Sequence, residues 1–218
     1  MTQVKICGIT NLKDAFVAAE AGADLLGFVF YPPSPRYLDP ARAEQIISAV
    51  RCASYPVRFV GVFVDEDPGT VREIMSCCGL DYAQLHGTEP PEMIATLVEQ
   101  GVKVIKAFRV HDVTSLAELE RYRATAYLLD TYVPAQPGGT GKTFDWRLAA
   151  QVKEYGPLLL AGGLTPDNVA ESVHTVDPWG VDVSSGVESV PGRKDHDKLR
   201  RFITAVKDTD AEESNDPR

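Results

Sequence analysis

The chain has 218 residues, enough for one substantial core, and its 44% hydrophobic and 24% charged residues are those of an ordinary globular domain. A net charge of −9 argues against nucleic acid as a partner but leaves room for a small phosphate held by local N–H groups and one or two cations. No apolar run reaches the roughly 18 to 20 residues of a membrane span. The N-terminus carries no basic segment followed by an apolar stretch, so no signal peptide is read and a cytoplasmic protein is expected.

Strand-like apolar runs are predicted at residues 4–7, 25–30, 59–64, 82–85, 104–108, 127–130, 158–161 and 181–183. Helical patterns follow them at 12–21, 40–50, 68–77, 91–100, 116–122, 146–155, 166–174 and 196–206. Pro40, Pro68 and Pro166 suit a first helical turn, where a missing N–H costs little, and Asn11, Asp39 and Thr165 are the N-cap candidates. Eight βα alternations with nearly continuous apolar strands predict a closed (β/α)8 barrel over residues 1–207. The runner-up, an open doubly wound sheet, calls for fewer strands and a Gly-x-Gly-x-x-Gly loop after the first, which Cys7-Gly8-Ile9-Thr10 is not. Residues 208–218 have too little apolar content to offset ordering and are expected to form a disordered tail.

In a barrel of this kind the chemistry sits at the C-terminal ends of the strands, so the residues there are the candidates. The first strand ends on Cys7, which is either a small buried filler or a working thiol. After the second comes Tyr31-Pro32-Pro33-Ser34-Pro35-Arg36, whose prolines hold a guanidinium as a carboxylate or phosphate clamp rather than as loose surface charge. The fourth gives His86-Gly87 and the fifth Arg109. The sixth gives Asp130, a carboxylate closing a buried strand, which is a structural cap or a functional acid. Gly162-Gly163 after the seventh strand and Ser184-Ser185-Gly186 after the eighth fall where barrels hold phosphate, with glycines that let the backbone approach. Gly138-Gly139-Thr140-Gly141-Lys142 lacks the spacing of a nucleotide P-loop and reads instead as a loop closing over substrate. Cys52, Cys77 and Cys78 show no metal spacing and are taken as reduced spectators.

The segments Lys5-Ile6-Cys7-Gly8-Ile9-Thr10, Gly27-Phe28-Val29-Phe30 with Ser34-Pro35-Arg36, and Gln84-Leu85-His86-Gly87 run in order with several later ones. These are Leu129-Asp130 with Gly138-Gly139-Thr140-Gly141, Leu160-Ala161-Gly162-Gly163-Leu164, and Val181-Asp182-Val183-Ser184-Ser185-Gly186-Val187-Glu188 with Pro191-Gly192 and Lys194-Asp195. In this combination the chain resembles the phosphoribosylanthranilate isomerase family of tryptophan biosynthesis over nearly its whole length. The resemblance implies an Amadori rearrangement of an aminoaldose phosphate to a ketose, without metal or cofactor. It implies Asp130 as general acid and Cys7 as general base. Arg36 would pair with the anthranilate carboxylate, and Gly141, Gly162, Gly163, Asp182, Ser184 and Ser185 would bind substrate. A monofunctional, monomeric enzyme of a small phosphorylated substrate is expected. The rivals are the histidine-pathway isomerase, which resembles a pair of aspartates at the two catalytic strand ends where this chain has Cys7 first, a dual-specificity enzyme, and a non-catalytic sugar-phosphate-binding barrel.

Overall fold

A computed structural model describes residues 1–109, 119–130, 149 and 152–215. Eight strands form in chain order: β1 (Gln3–Ile6), β2 (Leu25–Val29), β3 (Arg58–Phe63), β4 (Tyr82–Leu85), β5 (Val104–Arg109), β6 (Ala126–Asp130), β7 (Leu158–Ala161) and β8 (Gly180–Val183). Each pairs in parallel with its sequence neighbours, and β8 returns to β1, closing the barrel. At that seam Lys5 is in register with Asp182. Because side chains alternate along a strand, Leu25, Val60, Tyr82, Ile105, Ala126, Leu128 and Leu159 pack together inside the barrel. Phe28, Phe59 and Phe63 face the helical shell and are almost wholly buried.

The helices form where capping chemistry and apolar spacing agree. In α1 (Leu12–Ala21) the Asn11 side chain accepts a hydrogen bond from the Asp14 N–H at 2.9 Å, and Gly22 ends the helix in the left-handed region at φ 95°. In α2 (Pro40–Cys52) and α3 (Pro68–Cys78), Asp39 and Asp67 accept from the N–H groups of the first turn. Then come α4 (Pro91–Glu99), α5 (Val169–Val176) and α6 (His196–Asn215). None of these helices is long and apolar enough to cross a membrane.

Three expectations change. Thr165 does not cap a helix at Pro166: its Oγ1 accepts from the Asp167 N–H at 3.3 Å, forming a turn, and α5 starts three residues later. Helix α6 runs to Asn215, well past the expected start of the tail. Asp210 accepts hydrogen bonds from the Thr2 N–H and hydroxyl at 2.7 and 2.8 Å, and Thr209 is buried, so polar anchoring holds a segment that lacks apolar content. Between β8 and α6 lies a short hairpin, β9 (Glu188–Val190) with β10 (Arg193–Lys194), which no apolar run announces. Of the stretch at 116–122, Leu119–Arg121 forms a 3-10 turn. The helix expected at 146–155 lies mostly outside the described residues, as does Gly141 with its whole loop.

Candidate active site

The strand ends open onto a cavity of about 630 Å³, lined among others by Cys7, Arg36, His86, Arg109 and Asp130. Gly162, Gly163, Asp182, Ser184 and Ser185 line it too, so every candidate within the described residues meets in one place. Cys52 and Cys77 are exposed and Cys78 buried, none of them in this lining.

Local backbone explains how the pieces converge. Gly8 takes φ 75°, and a Cβ there would sit 2.6 Å from the Arg36 Cδ and 3.1 Å from the Ser184 Oγ. Glycine thus turns the chain after Cys7 and lets the guanidinium arm and the β8 loop pass over it. Gly162 and Gly163 are also left-handed, at φ 89° and 66°, and a Cβ on Gly163 would meet nothing within 4 Å. A Cβ on Gly186 would collide with the Leu164 carbonyl oxygen, so the loops after β7 and β8 touch backbone to backbone. The buried Ser184 Oγ has no hydrogen-bond partner among the described residues. Glycine-lined backbone beside an unpartnered buried hydroxyl is what a phosphate-binding hollow requires.

On the opposite side, His86 Nε2 lies 3.7 Å from Asp130 Oδ2, and Gln84 Nε2 lies 3.0 Å from His86 Nδ1. The loop carrying His86 is pinned from below. Lys106 Nζ donates to the carbonyl of Gly87 at 2.8 Å and to Glu89 Oε2 at 2.7 Å, and Glu89 also accepts from the Gly87 N–H.

Around Cys7 the charges are dense. Its carbonyl accepts from Lys194 Nζ at 2.5 Å, and Lys194 also reaches the Ser184 carbonyl at 3.2 Å and Glu188 at 3.1 Å. Glu188 in turn grips Arg36 through two hydrogen bonds, at 2.8 Å to Nε and 2.6 Å to Nη2. Lys5 Nζ donates to Asp182 Oδ1 at 2.8 Å directly beneath. Burial is the largest influence on the Cys7 thiol and pushes its pKa up. Lys5 opposes the rise, Asp182 adds to it, and Lys194 opposes it weakly. A base tuned downward is therefore not what the site presents; a largely buried sulfur, 7% exposed, is the cause. Burial raises Glu188 as well, but Arg36 and Lys194 outweigh it and hold the carboxyl below its ordinary range.

Sequence reasoning counted Lys5, Gln84, Glu188 and Lys194 among the residues of the resemblance but gave them no role. Strand alternation was the available signal for the first two, since residues i and i−2 share a face and put Lys5 under Cys7 and Gln84 under His86. Glu188 and Lys194 lie in a polar hairpin whose pairing has no such local signature.

A closed barrel whose strand ends bring a thiol, a carboxylate, a held guanidinium and a glycine–serine hollow to one cavity defines an enzyme of the (β/α)8 class. The family model for N-(5'-phosphoribosyl)anthranilate (PRA) isomerase matches residues 4–205. The N-(5'-phosphoribosyl)anthranilate isomerase of Geobacter metallireducens is 54% identical over 207 residues, covering 95% of this chain and 100% of that protein. A crystal structure of phosphoribosyl anthranilate isomerase in complex with reduced 1-(o-carboxyphenylamino)-1-deoxyribulose 5-phosphate is 42% identical with a TM-score of 0.84, covering 95% of this chain and 100% of that one. A Thermotoga maritima structure, described as monomers generated from a dimeric phosphoribosylanthranilate isomerase, is 43% identical with a TM-score of 0.83 and the same coverage. The chain belongs to the N-(5'-phosphoribosyl)anthranilate isomerase family.

Proposed function

We propose that this chain performs its family's isomerisation, in tryptophan biosynthesis, with Asp130 as general acid and Cys7 as general base. The substrate is N-(5-phosphoribosyl)anthranilate, an aminoaldose. Asp130 gives a proton to the furanose oxygen, the C1–O bond breaks, and the nitrogen lone pair forms a C1=N iminium. The Cys7 thiolate then takes the C2 proton, and the C2–H electrons form the C1=C2 double bond of an enolamine while nitrogen recovers its pair. Loss of the C2 hydroxyl proton and gain of a proton at C1 leave the ketone, 1-(2-carboxyphenylamino)-1-deoxyribulose 5-phosphate. Arg36 holds the anthranilate carboxylate, and Gly141, Gly162, Gly163, Ser184 and Ser185 receive the phosphate. The observation that carries this reading is the shared cavity: Cys7 and Asp130 line it together with the Gly162–Gly163 and Ser184–Ser185 loops.

Cys7→Ala and Asp130→Asn are each expected to lower kcat by about 10²- to 10⁴-fold, the usual contribution of one acid or base. Binding of the reduced product analogue, followed by calorimetry, should persist in both. Near wild-type kcat in Cys7→Ala would overturn the base assignment.

We also place the enzyme in the cytoplasm, where exposed thiols such as Cys52 and Cys77 stay reduced, and read it as a monomer. Sedimentation at the mass of one chain supports the monomer; sedimentation at twice that mass would put this chain with the dimeric Thermotoga protein.

A further inference from the structure

Among the described residues three lysines are buried in or around the barrel wall, and two of them are fully engaged. Lys106 has three acceptors, the carbonyls of Leu85 and Gly87 and the Glu89 carboxylate. Lys194 likewise has the carbonyls of Cys7 and Ser184 and the Glu188 carboxylate. Lys5 is 0% exposed, yet among the described residues its ammonium has a single oxygen acceptor, Asp182. An ammonium carries three N–H groups, and one oxygen acceptor does not satisfy them in a dry interior, where an unmatched N–H is costly. Lys5 is not needed to fill space in an otherwise polar layer either. The barrel interior around it is built from Leu25, Val60 and Leu159, where an apolar side chain would pack.

The group within reach is the Cys7 sulfur. A Cβ on Gly27 would stand 2.8 Å from Cys7 Sγ and 3.1 Å from Lys5 Nζ, which puts sulfur and ammonium no more than about 6 Å apart, inside the range over which opposite charges shift a pKa. Glycine in β2 leaves both the room. Among the described residues the charged groups near Cys7 are Lys5 on β1, Asp182 on β8, Lys194 and Glu188 on the hairpin and Arg36 on the loop after β2, with His86, Arg109 and Asp130 lining the far side. Among these described groups three cations on the near side face two carboxylates, an excess of one positive charge that an ionised sulfur would balance.

We propose that Lys5 and Asp182 are a positioning pair for Cys7: the Lys5 ammonium is the counter-ion of the thiolate, and Asp182 keeps that ammonium charged and aimed. Asp182 therefore supports the base from beneath, where the family resemblance counts it as a substrate ligand. When the sulfur takes the substrate proton, Lys5 still has Asp182, so no buried charge is stranded during turnover. Burial pulls the Lys5 pKa down, but Asp182 and Cys7 outweigh it and hold the ammonium above its ordinary value. This inference rests on the reading of Cys7 as general base.

The test measures the pH dependence of iodoacetamide alkylation at Cys7, resolved from Cys52, Cys77 and Cys78 by mass spectrometry of the N-terminal peptide. Lys5→Met removes the cation. The double variant Lys5→Met/Asp182→Asn also removes the carboxylate that would otherwise be left unpaired, and keeps the test available if the single variant folds poorly. Lys5→Met should move the midpoint up by about one to three pH units from the parent, and the double variant should move it up likewise from Asp182→Asn alone, each with a tenfold or greater loss of alkylation rate at neutral pH. Lys5→Arg, which keeps the charge, should stay within about half a unit of the parent. A role confined to packing would alter stability and leave these midpoints in place, and a double variant with the same midpoint as Asp182→Asn overturns the proposal. Failure of the base assignment is read separately. A shifted midpoint beside full turnover in Cys7→Ala would keep the counter-ion and discard the base.

Discussion

Arg36 shows how far a single residue's role can be read from sequence. Its proline-stiffened loop marked it as a clamp, and the chain indeed holds it at the cavity, but two of its nitrogens already belong to Glu188. The role of Glu188 was not legible because its partner lies 152 positions away in the chain. Glu188→Gln should therefore loosen Arg36, raising KM about tenfold with a smaller change in kcat, and lower stability at neutral pH by about 1–3 kcal/mol in urea titrations. The sign of the pH effect follows from the depressed carboxyl. Its contribution is complete above the ordinary carboxylate pKa and is lost as pH falls through the lower folded value. The stability gap between wild type and Glu188→Gln should accordingly close in the acid range below pH about 4. A gap that widened there would contradict the arrangement.

Secondary structure was legible wherever one local signal sufficed. The apolar runs marked all eight strands to within a residue or two, and Asn11 and Asp39 cap where their spacing implied. Errors fall where a competing turn or a distant partner decides. Thr165 prefers a turn because Asn168 Oδ1 accepts from its own N–H at 2.7 Å, and the 188–194 hairpin forms to deliver Lys194 beneath Cys7. The loops after β7 and β8 make an element-scale prediction. Gly186→Ala would drive a methyl group into the Leu164 carbonyl, prising the two loops apart. It should weaken binding of inorganic phosphate, measured as competitive inhibition, by tenfold or more, while the far-UV circular dichroism spectrum is retained. Unchanged inhibition would mean that the contact does not shape the phosphate hollow.

At the scale of the molecule the two ends of the chain meet. Thr2 beside β1 is tied to Asp210 near the end of α6, a pairing that spans 208 positions and reads as nothing in the sequence. Asp210→Ala should cost about 1–3 kcal/mol, since it removes two hydrogen bonds to a charged acceptor, and should leave kcat unchanged because the anchor sits by the strand N-termini. An unaltered thermal midpoint would show the tie to be incidental. The barrel itself was readable from eight repeats of one βα pattern, whereas its seam was not. That seam is where Cys7 donates its N–H to the Val183 carbonyl at 2.9 Å and Lys5 comes into register with Asp182. The sulfur and the Ser184–Ser185 loop thus come from opposite ends of the polypeptide and share a wall only after the last strand docks on the first. A refolding chain can hold its helices and most of its sheet and still be inert, and the reappearance of turnover times that final docking event rather than the gain of helical signal.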